Sequence, residues 1–248
     1  MDKFWQWLYH IAEHFFNLKK YHPAELTMFF AGFTLWVFAY YYIIKDIRKY
    51  KFCEMPMLVA TGNIAWEFTW SFLFFGDLGP FFTWGARVWF TMDLFINYNS
   101  LKYGLKDVSN PDLKKHYRFW YVFSLIAWFC VVYFMGWVDR DSHRLGIQSA
   151  LLINVAMSSL YIYQLLNYPG FRGKGLNYKV AWYKMFGTGF ITLGSTLVWW
   201  DKNNQLFMTF GILSFLLDAI YIYLFKFYKN PALESMTLEE YQKSKMPV

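Results

Sequence analysis

Seven stretches of the chain stay apolar for about 20 residues each, the length of helix that crosses a hydrocarbon core. Short polar connections separate them. They cover residues 24–44, 54–75, 80–101, 118–138, 145–167, 178–200 and 205–226. Such runs predict helices buried on most sides, in lipid or in protein. Ahead of the first, Phe4, Trp5, Leu8, Ile11, Phe15 and Phe16 recur at roughly helical spacing. That spacing predicts an amphipathic helix within 1–20 lying at a membrane surface. Beyond Pro231 the chain turns polar, so the expected organisation is an interfacial helix (1–20), one seven-helix transmembrane domain (21–230) and a polar tail (231–248). The fold class predicted is an all-α integral membrane protein.

Composition sharpens this picture. The chain is 57% hydrophobic and 25% aromatic against 17% charged, a balance foreign to soluble domains. Nearly all of it is claimed by the seven spans, so any chemistry must lie inside the bundle. The net charge of +7 is organised by side. The connections after spans one, three and five, with the tail, hold 17 Lys and Arg, among them Lys45, Arg48, Lys49, Lys102, Lys114, Arg172 and Lys226. The other side holds 7: Lys3, Lys19, Lys20, Arg87, Arg140, Arg144 and Lys202. The positive-inside rule then puts the C-terminus in the cytoplasm and the N-terminus outside or in a lumen. This is topology rather than a nucleic-acid footprint, and it suits a bacterial inner membrane or the endoplasmic reticulum. Cys53 and Cys130 lack CxxC or histidine-rich surroundings, so no redox pair or metal site is expected.

Three acids interrupt the apolar spans: Glu67 in TGNIAWEFTWSF, Asp93 in ARVWFTMDLFIN and Asp218 in LSFLLDAIYIYL. At 1.5 Å per residue each lies about 18–20 Å from the end where its helix enters, in the middle third of the membrane. Charge is costly there, so an intramembrane acid is expected to be neutralised, paired or facing a cavity, and it marks a functional site. Helical spacing puts Asn63 and Trp70 on the Glu67 face, Asn97 on the Asp93 face and Tyr221 on the Asp218 face. Three converging acids could run proton-in, proton-out chemistry without a metal or cofactor. The competing structural reading makes them hydrogen-bonding glue between helices, satisfied by Asn63, Asn97, Asn154 or Gln164. Arg87 and Lys184 are expected to snorkel to the interface, and Gly187, Gly189 and Gly194 to permit close helix packing.

Aromatic belts are normal in membrane proteins. Those on the acid stripes carry more meaning: Trp70, Phe74, Trp89, Phe90 and Phe215 are expected to face one cavity, where their π faces would stabilise a cation. A dry aromatic cavity holding an acid suits carbocation chemistry, since water would quench the cation.

The stretches GNIAWEF, RVWFTMDLFINY and LLDAIYIYLF resemble the fungal transmembrane meroterpenoid cyclases, and the general layout is similar throughout the chain. The resemblance implies Glu67 and Asp218 as catalytic acids, one donating a proton and the other assisting. It implies protonation of a terminal epoxide or alkene on a prenylated substrate, ring closure through cations and final proton loss, with no cofactor. It supplies no counterpart for Asp93, whose role rests on the residues alone. The expected cavity lies between spans two, three and seven, lined by Asn63, Trp70, Trp89, Asp93, Asn97 and Tyr221, with a hydrophobic prenylated small molecule and the lipid bilayer as partners. A retinal protein would need a Schiff-base lysine in the last span, and none occurs between Gln205 and Phe225. A small proton-coupled transporter or ligand-sensing receptor is the alternative. Transporters favour helices broken near the midplane, whereas Pro23, Pro56, Pro80 and Pro169 mark predicted helix ends.

Overall fold

A computed structural model describes residues 3–76, 78–104, 108, 110–141, 146–199, 205–228 and 240; nearly all of the predicted polar tail lies outside these. Helices α1 (Lys3–Phe16), α2 (Pro23–Tyr50), α3 (Met57–Phe68), α4 (Pro80–Tyr103), α5 (Pro111–Lys115), α6 (Tyr117–Asp141), α7 (Ile147–Asn167), α8 (Tyr178–Val198) and α9 (Gln205–Phe227) make up the described fold. The all-α expectation holds. Helices α2, α6, α7 and α9 are long and apolar enough to cross a membrane. Helices α4 and α8 reach similar length but carry Arg87, Asp93 and Lys184, while α3 is 12 residues long and continues as a π-helical turn over Thr69–Leu73.

Local chemistry explains several boundaries. Pro23 sits at the start of α2, where a missing N–H costs nothing, and His22 with Glu25 closes a capping box. Asn110 and Asn177 cap α5 and α8 through their side-chain oxygens. Helix α2 runs on past the predicted end at residue 44 to Tyr50, because its inner face stays buried through Ile43, Asp46 and Ile47.

Six helices close a ring in which α2 packs on α8, α8 on α9, α9 on α7, α7 on α3, α3 on α4 and α4 on α2; α6 lies outside it, against α3 and α7. The α2–α8 seam depends on small residues, as expected for helices associating in lipid. A Cβ on Gly32 would lie 2.8 Å from the Gly187 carbonyl oxygen, and one on Gly187 would lie 2.8 Å from the Trp36 ring. Gly194 similarly makes room for Met28 and Phe29, whereas Gly189 has nothing nearer than 4.0 Å and serves no such contact. Helix α1 is amphipathic, exposes Phe4, Trp5, Trp7 and Ile11, and meets the start of α4 through Phe15 and Phe16 against Phe81.

Candidate active site

Inside the ring is a chamber of about 70 Å³ lined by α2, α3, α4, α7 and α8. Glu67 and Asn63, one turn apart on α3, supply its main polar groups, with Asn154 of α7 on the facing wall. Tyr40 donates its hydroxyl proton to Glu67 Oε1 at 2.7 Å, and Asn63 Nδ2 donates to the same tyrosine oxygen at 3.1 Å. This chain of two hydrogen bonds fixes one face of the carboxyl. The other oxygen, Oε2, finds no donor among the described residues, and neither do the two carboxyl oxygens of Asp93. The Glu67 and Asp93 carboxyls are buried neighbours, and no described cation pairs with either.

Aromatic side chains form most of the remaining wall: Phe33, Trp36, Tyr40, Trp66, Phe82 and Trp89. Phe33 meets Trp89 edge to face at 5.1 Å, and Phe82 meets Trp66 at 90°. Trp66 is held by its Nε1 proton, donated to the Gly146 carbonyl at 2.9 Å. Trp89 Nε1, by contrast, is buried without an acceptor among the described residues.

The expected convergence of three acids is corrected here. Asp218 on α9 is buried against Lys184 of α8, whose ammonium donates to Asp218 Oδ1 and, at 2.6 Å, to Ser158 Oγ of α7. Ser158 in turn meets Ser214 at 3.1 Å. Lys184 therefore does not snorkel. It is fully buried, because a carboxylate one helix away offers it a better partner than the distant interface. Tyr221 accompanies this second cluster, packed on Tyr161 and lying beside Glu54.

The other expected lining residues divide. Asn63 and Trp89 line the chamber, and Asp93 stands behind Glu67. Asn97 is a helix tie: it donates to the Ala60 and Asp93 carbonyls and accepts from Tyr121 at 2.5 Å. Trp70 falls off the Glu67 face because the turn that begins at Thr69 is a wider π-turn, and its ring packs with Phe74 and Trp66 instead. Phe90 packs on Phe68 and Phe72, Phe74 on Tyr133 and Trp137, and Phe215 is exposed. Sequence reasoning missed Phe33, Trp36 and Tyr40. The signal was the buried stripe Phe29, Gly32, Trp36, Tyr40, Ile43, Ile47 at three- and four-residue steps along α2, a helix without an intramembrane acid to draw attention to it.

Fold and chamber define an integral membrane protein with one acid presented to an aromatic-walled chamber. Residues 17–230 match the family model of the Pyr4-like transmembrane terpene cyclases, and the chain belongs to that family. It is 24% identical over 217 residues to the terpene cyclase cle7 of Aspergillus versicolor, an alignment covering 83% of this chain and 87% of that protein. No solved structure matches the chain. Family membership brings terpene cyclisation as the broad function and a hydrophobic substrate with it.

Proposed function

We propose that the protein is a seven-span cyclase, N-terminus outside or lumenal, that protonates a terminal epoxide or alkene of a prenylated substrate with Glu67 and closes rings through cations held in the α2–α3–α4–α7–α8 chamber. The observation that carries this reading is the difference in partners: Glu67 opens into the aromatic chamber and faces a second acid, whereas Asp218 is engaged by Lys184. Two buried carboxylates without a cation repel strongly, so the Glu67–Asp93 pair keeps one proton, carried on Glu67. That proton is the one delivered. Tyr40 orients the donor through Oε1 and leaves Oε2 to present it. Once a cation forms, the π faces of Trp36, Trp66 and Trp89 stabilise it by up to about 2 kcal/mol each in a desolvated site, and the apolar walls keep out the water that would end the cascade.

Asp218, the other acid implied by the resemblance, acts in this reading as the anionic half of an ion pair that ties α8 to α9. The test is a Glu67→Gln variant assayed in membranes with an epoxyfarnesyl phenol. An amide keeps the size but cannot give the proton, so the rate should fall by about a thousandfold with unchanged membrane expression. Cyclisation at more than a tenth of the parent rate would exclude Glu67 as donor.

A further inference from the structure

The chamber around Glu67 admits the reacting chain end but is too small for the rest of a prenylated substrate. Its 70 Å³ falls well short of the roughly 300–1,000 Å³ typical of small-molecule sites. A second cavity of about 770 Å³ lies immediately outside the ring, between α3, α6 and α7. The two are one side chain apart. Met55 lines the outer cavity, Asn63 lines the chamber, and Asn63 Nδ2 meets Met55 Sδ at 3.7 Å. Leu152 of the outer cavity likewise adjoins Ile153 of the chamber on α7. Methionine is the most adaptable apolar side chain, able to move through several rotamers at low cost.

The outer cavity is apolar, walled by Pro56, Leu58, Ala127, Trp128, Val131 and Leu160, but it is not featureless. Gln164 of α7 lines it, and its Oε1 is buried with no donor among the described residues. An acyl chain of a membrane lipid has no proton to offer that oxygen. A prenylated compound with a hydroxyl on its head group does, and it also supplies the hydrocarbon to fill the rest. Resting on the cyclase reading, we propose that the α3–α6–α7 cavity binds the body of a prenylated phenol-like substrate, with Gln164 Oε1 accepting from the head-group hydroxyl and Met55 as the movable partition past which the chain end reaches Glu67. Helix α6, outside the ring, forms the lipid-side wall through which such a molecule arrives.

The experiment uses membranes containing the full chain and a farnesyl phenol carrying a diazirine on the chain. Illumination should label Met57, Trp128 and Leu160, and unlabelled farnesyl phenol should compete the label away. A phosphatidylcholine with a diazirine on its acyl chain should instead label the outward residues Phe119, Val122 and Ile126. Ala127→Trp, which fills the cavity, should reduce farnesyl labelling of Leu160 at least tenfold. Gln164→Leu should weaken competition by farnesyl phenol severalfold and leave competition by its methyl ether unchanged. Farnesyl labelling confined to the residues that the phospholipid labels would overturn the proposal, as would equal loss of phenol and ether in Gln164→Leu. Labelling needs no turnover, so the two readings fail separately. Cavity labelling with no Glu67-dependent cyclisation sinks the proposed function alone, and Glu67-dependent cyclisation without cavity labelling sinks this one.

Discussion

Glu67 and Asp218 are buried almost equally, 3% and 1% exposed, and both sit in mid-helix among apolar residues. What separates them is the company they keep. Asp218 meets an ammonium and, through it, two serines, all drawn from α7, α8 and α9. Glu67 meets a phenol, an amide behind it and a second acid, from α2, α3 and α4, and it opens onto a void. A dry carboxyl becomes a proton source only where no cation relieves it and something can approach it. Burial alone does not distinguish an acid that faces a chamber from one that ties helices together.

The comparison breaks most sharply at Lys184. Lys184→Met leaves Asp218 buried without its cation and should cost about 3–5 kcal/mol of stability, seen as early thermal aggregation in detergent. Pairing it with Asp218→Leu should recover most of that loss, and the double variant should still cyclise. A stable but inactive double variant would return Asp218 to the chemistry.

On the other side, Asp93→Asn removes the acid that, in the proposed mechanism, shares a proton with Glu67. The expected result is a roughly hundredfold lower kcat, within the range of general acid catalysis, with little change in KM or thermal stability. A purely structural role for Asp93 would instead lower stability and leave kcat in the surviving protein intact. Tyr40→Phe deletes the hydrogen bond that orients Glu67. A bond to such a group contributes about 1.5–3 kcal/mol, so kcat should fall on the order of tenfold to a hundredfold while substrate labelling persists. Smallest of all, Ser214→Ala trims the edge of the Lys184 cluster. It should lower stability by about 1 kcal/mol without altering product, and an altered product profile would join the two acid regions functionally.

Much of this was legible in the chain. Pro23 and Pro80 announce helix starts, and the apolar runs located every long helix to within a few residues, α2 excepted at its far end. The i, i+4 relation of Asn63 and Glu67 puts both on one wall of the chamber, which Trp89 also lines. The errors share a cause. Trp70 was assigned by 3.6-residue periodicity across a turn that is wider than that. Lys184 was read from its position along α8, when the deciding fact was a carboxylate on a neighbouring helix. Tyr40, the residue that touches Glu67, belongs to a run of three tyrosines whose members differ only in which way the helix turns them.

Length and apolarity of segments are properties that a sequence carries outright, because a hydrocarbon layer forces every backbone group in it to bond within its own helix. They determined the helical class and the few places where an acid had to be explained. Which acid met a cation, which met another acid, and which opened onto space depended on the order of helices around the ring and on their rotation. Those follow from contacts between residues far apart in the chain, such as Gly32 against Gly187 and Lys184 against Asp218, and only packing in three dimensions could decide them.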